Sequence, residues 1–239
     1  SLSQGLGRVL AADVVSRRSQ PPMAVSAMDG YAVRAQDVAS LPADLNVVGY
    51  APAGHAFDGA VGPGEAVRIF TGAPLPDGAD TIVIQENTEQ TGETVRVIDG
   101  EAPVGRFVRP AGLDFATGDT LLSAGKVLTA RDVGLAAAMN VPWLMVRRKP
   151  RISILATGDE IVMPGDPVGR DQIVSSNALS LAAFIAAQGG EPLDLGIAPD
   201  EEDGLRALAS GASGSDILVT TGGASVGDHD LVQSVLGDI

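Results

Sequence analysis

From residue 151 onward the sequence alternates between two kinds of apolar segment, and this alternation constrains the fold more than any other feature. "RISILA" (151–156) is a continuous β-branched run of the kind that forms a strand buried on both faces. "SSNALSLAAFIAAQGG" then reads as a helix, with Ser176 and Asn177 as polar cap candidates and a double glycine as its stop. "PLDLGI" reads as strand, "DEEDGLRALAS" as a helix with an acidic first turn, and "DILVTT" as strand. "DLVQSVLGDI" opens another helix. A β–α–β–α–β–α order predicts a doubly wound parallel sheet.

The segment before it has a different texture. "NVVGYAPAG", "EAVRIFTG", "DTIVIQENTE" and "TVRVIDG" are short β-rich runs broken by Gly, Pro or Asp. Turn signals at this spacing predict a compact β-barrel-like or sandwich module over 47–113. "GLGRVLAADVV" precedes it, and "LTARDVGLAAAMN" follows as a helix with Thr129 as N-cap and Asn140 as stop. The expected fold is therefore multi-domain, α/β plus β. A discontinuous N-terminal or linker domain (1–46 and 114–147) carries the inserted β module (47–113), and an α/β domain follows (148–239).

In open α/β sheets ligands bind beyond the C-terminal strand ends. Three loops occupy that position: "ATGDE" (156–160), "APDEED" (198–203) and "TTGGASVGDHD" (220–230). The glycines of the last loop suit close backbone approach to a phosphate or oxyanion, and Ser225 adds a hydroxyl donor. Asp228, Asp230 and Glu160 would repel such a ligand unless a divalent cation lay between them. The chain has no cysteine and two histidines, His55 and His229, so thiolate sites are excluded and the available ligands are hard oxygens. That donor set suits Mg²⁺, bound by one or two carboxylates plus substrate phosphate, with Glu160 and Asp230 as the expected metal ligands. The formal net charge of −14 argues against nucleic acid and anionic lipid as partners. No apolar run is long enough to span a bilayer, and a cytoplasmic location is expected.

Two further stretches stand out, "SAMDGYAVR" (26–34) and "RIFTGAPLPDGAD" (68–80). With "GRVLAADV", "ATGDEIV", "SSNALSL" and "GGASVGDHD" they form a set of ordered motifs. In these the chain resembles the molybdopterin molybdenumtransferase family, which includes MoeA and the E domain of gephyrin. The resemblance runs over nearly the whole chain. It implies molybdenum cofactor biosynthesis: molybdate is inserted into adenylylated molybdopterin and AMP is released. It also implies a Mg²⁺ requirement, a homodimer, and a molybdopterin adenylyltransferase as upstream partner; that enzyme's fold is similar to the expected α/β domain. The catalytic residues so implied are Asp29, Thr71, Asp114, Glu160, Asp200 and Asp230. The implied ligand-binding residues are Thr157, Gly158, Asp159, Ser176, Asn177, Gly222, Gly223, Ser225, Gly227 and Asp228.

The sequence departs from the family pattern in places. Ser175-Ser176-Asn177 stands where Asp-Ser-Asn is usual, and "RPAGLD" (109–114) where Arg-Arg-Gly-Glu-Asp is common. The chain ends at "VLGDI", before the family's Pro-Gly-Lys-Pro and Gly-Leu-Pro-Gly-Asn-Pro segments, so a C-terminally incomplete member is expected. Alternative readings are a non-catalytic molybdopterin-binding or scaffold module of the gephyrin kind, and an inactive fragment.

Overall fold

A computed structural model of the chain describes residues 1–222 with Val232, Val235 and Gly237. Two compact units divide it: Ser1–Leu6 with Leu10–Met145, and Gly7–Val9 with Val146–Ile239.

The first unit contains β1 (Val14–Val15), β2 (Val25–Ser26), β3 (Gly30–Val33), β4 (Ala43–Ala51), β5 (Glu65–Ile69) and β6 (Thr81–Ile84). These are followed by β7 (Thr88–Thr91), β8 (Thr94–Val97), β9 (Val108–Arg109), β10 (Thr120–Leu122) and helix α1 (Ala130–Ala138). Six strands make one sheet in the order β6-β3-β5-β4-β8-β7. It is mixed: β4 and β5 run parallel, and the other neighbours are antiparallel. Period-two alternation gives it two apolar faces. Tyr31, Val33, Ala66 and Val83 point into one cluster, and Ala32, Val67, Ile69 and Ile82 into the other. Each fully buried Val or Ile here contributes about 2 kcal/mol of transfer free energy. Two short antiparallel ladders, β1–β10 and β2–β9, tie the chain before this sheet to the chain after it.

Two expectations are corrected here. The sheet does not begin at residue 47: it recruits β3 from "DGYAV", and β4 starts at Ala43. An Asp-Gly turn signal hid β3, a strand of only four residues, all buried. Gly30 is required there, because an added Cβ would overlap the carbonyl oxygen of Val83 on β6. Nor does the module close as a barrel. β6 and β7 stand at opposite ends of the order, separated in sequence by a 3-10 turn over Gln85–Asn87 that ends the one strand before the other begins.

The second unit contains β11 (Arg151–Thr157), β12 (Ile161–Val162), β13 (Ile173–Val174), α2 (Asn177–Ala187), β14 (Glu191–Ala198), α3 (Glu202–Ala209) and β15 (Ile217–Thr221). Its three-stranded sheet has the order β14-β11-β15 with both pairings parallel. Ile152 and Ile154 pack with Ala178, Leu181 and Ile185 of α2, whereas Leu155 packs with Leu205 and Ala209 of α3. The helices therefore cover opposite faces, and the unit is doubly wound as the alternation predicts. From β11 the chain steps to β14 on one side and then to β15 on the other. The topological switch point consequently lies between the C-terminal ends of β11 and β15.

Candidate functional site

At that switch point β11 ends in Thr157-Gly158 and β15 in Thr221-Gly222. Gly222 has φ of 96°, and a Cβ there would overlap the backbone carbonyl of Thr157, so only glycine lets the two strand ends approach this closely. Thr157 is 3% exposed, and its Oγ1 has no hydrogen-bond partner among the described residues. A buried hydroxyl without a partner costs about 1–3 kcal/mol, a cost that a ligand in the crevice would offset.

Beside it, α2 begins at the same edge. Ser176 occupies the N-cap position but makes no side-chain cap hydrogen bond, and the first turn carries no acid. The leading N–H groups of α2 thus face the crevice with the positive end of the helix dipole. Asn177 donates from Nδ2 to Thr221 Oγ1 at 3.2 Å, tying this helix start to the end of β15. A small pocket of about 70 Å³ is lined by Ala156, Ile161, Ser175, Ser176, Asn177 and Thr221.

The acidic loops meet at the β11–β14 side of this edge. Asp159 Oδ1 accepts the backbone N–H of Asp200 at 3.2 Å, and the Gly158 N–H reaches the carbonyl of Ala198. Asp159, expected to bind ligand, joins two strand-end loops through this oxygen. Glu160 folds back over Gly158 and is exposed to solvent, as is Asp200. Among the described residues no three acidic or imidazole side chains converge as a metal cluster. Gly223, Ser225, Gly227, Asp228 and Asp230 lie outside the described residues.

The first unit supplies the remaining candidates. Asp29 Oδ1 accepts two hydrogen bonds from Thr71, one from the backbone N–H and one from Oγ1, each 2.8 Å. These two bonds, with the nearby Arg68 cation, hold the Asp29 carboxyl below the usual carboxylate range. Arg68 donates to the Gly30 carbonyl at 2.8 Å and to Gln85 Oε1 at 2.6 Å. Its guanidinium lies over the rings of Tyr31 and Phe70, 5.1 and 4.7 Å from their centroids. Gly72, next to Thr71, lines an open cleft of about 360 Å³ that also contains Arg109 and Asp114. Asp29 and Thr71 are thus in direct contact, whereas Asp114 lies in the cleft beside Gly72 and β2, which pairs with β9 and with Pro74. Arg68, Arg109 and Thr221 were absent from the expected site. The last ends a strand before a glycine and could have been read, but the setting of Arg68 depends on strand pairing.

A mixed-sheet unit bearing a clamped carboxylate, joined in one chain to a doubly wound unit with glycine-bearing strand ends, defines the class. Residues 1–140 match the family model described as the MoeA N-terminal region (domain I and II), and residues 153–239 match a probable molybdopterin binding domain. The chain belongs to the MoeA family. It is 40% identical over 98% of its length to a molybdopterin molybdenumtransferase from a Nostoc species, and 37% identical over 99% to molybdopterin molybdenumtransferase 2 of Mycobacterium tuberculosis. The crystal structure of a MoeA molybdopterin biosynthesis protein from Pyrococcus horikoshii superposes on 99% of the chain with a TM-score of 0.88 at 35% identity. The chain spans 54% and 59% of those two relatives and 60% of that structure.

Proposed function

We propose that this chain carries ligand-binding and catalytic residues of a molybdopterin molybdenumtransferase, which inserts molybdate into adenylylated molybdopterin and releases AMP. The observation that carries this reading is the switch-point edge of the second unit. There a buried hydroxyl without a partner among the described residues, a helix start with no side-chain cap and a glycine packed against a neighbouring strand end converge, in a chain similar to named molybdenumtransferases. The N–H groups of α2, with Asn177 and Thr157, would hold the anionic end of the pterin substrate. Gly158 and Gly222 keep side chains out of its way.

Mg²⁺ fits the donor set by its chemistry, because Glu160 and Asp200 at this edge are exposed oxygen ligands in a chain without cysteine. Glu160 and Asp230 would hold it, with Asp200 nearby in sequence order along the strand-end loops. When bound, it would neutralise charge between carboxylates and phosphate. Asp29, ionised at neutral pH and fixed by Thr71, supplies a preoriented carboxylate, and Asp114 and Arg109 place an acid and a cation in one cleft. A cytoplasmic homodimer fed by a molybdopterin adenylyltransferase is the setting we propose, on the strength of the motif resemblance.

The direct test measures AMP released from adenylylated molybdopterin when molybdate and Mg²⁺ are added to the full-length protein. Molybdate-dependent release that EDTA suppresses supports the reading. Saturable binding of the pterin nucleotide without any AMP release would favour the scaffold reading instead.

A further inference from the structure

The N-terminal end of the second unit's sheet, opposite the strand ends just described, carries a groove of about 420 Å³ lined by Arg8, Arg148, Lys149, Arg151, Glu191 and Pro192. With about 3.3 Å per residue over the seven residues of β11, it lies roughly 20 Å from the switch point. Four cations in one groove are unexpected in a chain of net charge −14. Among the described residues, two of the four pair internally with carboxylates and two do not. Arg148 forks both oxygens of Asp216, and Arg151 approaches Glu191 at 3.7 Å, which fixes these two side chains in place. Arg8 spends one Nη on the carbonyl of Arg147, at 2.8 Å. Lys149 has no carboxylate partner among the described residues, and Arg147 beside it has none either.

We propose that this groove docks an acidic peptide segment of a protein partner. A single tetrahedral anion needs donors converging on one point, and here the Arg148 fork is already filled by Asp216. The free donors are spread along the groove instead, on Arg8, Lys149 and the outer faces of the paired arginines. Spaced positive charge of this kind matches successive carboxylates on an extended chain. Nucleic acid would meet the same cations and the same net negative field, so an oligonucleotide of equal charge that displaced the peptide at lower concentration would overturn the proposal. The inference does not depend on the reaction proposed for the opposite edge.

The test uses a fluorescein-labelled hexaglutamate peptide, followed by anisotropy at low ionic strength with the intact chain. Exposed ion pairs are individually weak, so Kd on the order of 100 μM is expected, with marked weakening as salt rises. The double variant R8E/K149E should weaken binding at least about tenfold, while R131E, which makes a charge change on α1, should leave it within about twofold. If circular dichroism shows the double variant misfolded, K149Q alone is read, with about threefold weakening expected. Equal weakening by R131E would overturn the proposal, since the attraction would then be generic. No saturable binding would overturn it too. So would displacement by inorganic pyrophosphate at lower concentration than unlabelled peptide, which would mark a small-oxyanion site.

Discussion

Two of the chain's Thr-Gly turns that follow strands, Thr71-Gly72 after β5 and Thr221-Gly222 after β15, solve opposite problems. Both glycines have positive φ, 82° and 96°. Around Gly72 the space for a Cβ is open, and Thr71 gives both its N–H and its hydroxyl to Asp29. Around Gly222 the space is filled by the backbone of Thr157, whose own Oγ1 is buried without a partner among the described residues. The first turn is complete without a ligand and presents a fixed charge. The second is crowded and holds a hydroxyl that no described residue satisfies. A fixed charge and an unsatisfied hydroxyl are complementary ways of storing binding energy, and they respond differently to mutation.

The largest contrast should come from the glycines. Gly222→Ala combines positive-φ strain with overlap of the Thr157 carbonyl, and we expect it to destabilise the second unit by about 3 kcal/mol and to abolish pterin-nucleotide binding. Gly72→Ala meets only the φ penalty, about 1 kcal/mol. Urea unfolding of both variants checks this; equal costs would mean that the Gly222 approach is not tight. Next in size is the charge itself. An asparagine side chain could still accept both bonds from Thr71 through its amide oxygen, so Asp29→Asn isolates the carboxylate's charge. AMP release should fall about 100-fold with Tm nearly unchanged. A large drop in Tm would instead assign Asp29 a structural role.

A smaller pair probes the hydroxyls. Thr71→Val removes a donor from a satisfied carboxylate and should cost about 1 kcal/mol. Thr157→Val removes an unpartnered hydroxyl while keeping the shape, so the free protein should be unaffected or slightly more stable, yet pterin-nucleotide affinity should fall. Loss of stability in Thr157→Val would show that Thr157 is satisfied in the free protein and that the two turns differ less than described.

Legibility in the sequence followed the range of the interactions concerned. The β11, α2, β14, α3 and β15 elements were readable because each carries its own local period or end signals. Thr129 and Asn140 likewise announced α1: Thr129 forms a capping box with Asp132, and Asn140 turns the chain out with φ of 59°. β3 was not readable, since four residues after Asp-Gly become a strand only through pairing with β5 and β6. The β12–β13 ladder, two residues on each side, was too short to leave a pattern. At the candidate site, the acids were found as residue types on the correct loops. What each does was not: Asp159 ties down the Asp200 backbone, and Arg68 fixes the Asp29 turn from a neighbouring strand.

The smallest effect concerns acid. Asp216 in the second unit is drawn down from 3.8 to about 2 by its hydrogen bonds with Arg148 and the Arg151 N–H, and Asp29 in the first is also lowered, by Thr71. A carboxyl whose folded-state pKa is depressed stabilises the fold above its unfolded value and loses that contribution as pH falls through the folded one. For Asp216 the window runs from 3.8 down to about 2, so nothing changes near neutrality. Both groups face solvent, so added salt should shrink the effect. Asp216→Asn removes the titrating group and should flatten the acid-side slope of stability for the second unit, and Asp29→Asn should do so for the first. Carboxyl carbon NMR titration of the wild type, with urea midpoints across that window, separates the two. An unchanged slope in Asp216→Asn would mean that the Arg148 fork orders the groove without stabilising the unit, whereas a flattened one would make it part of the fold's own support.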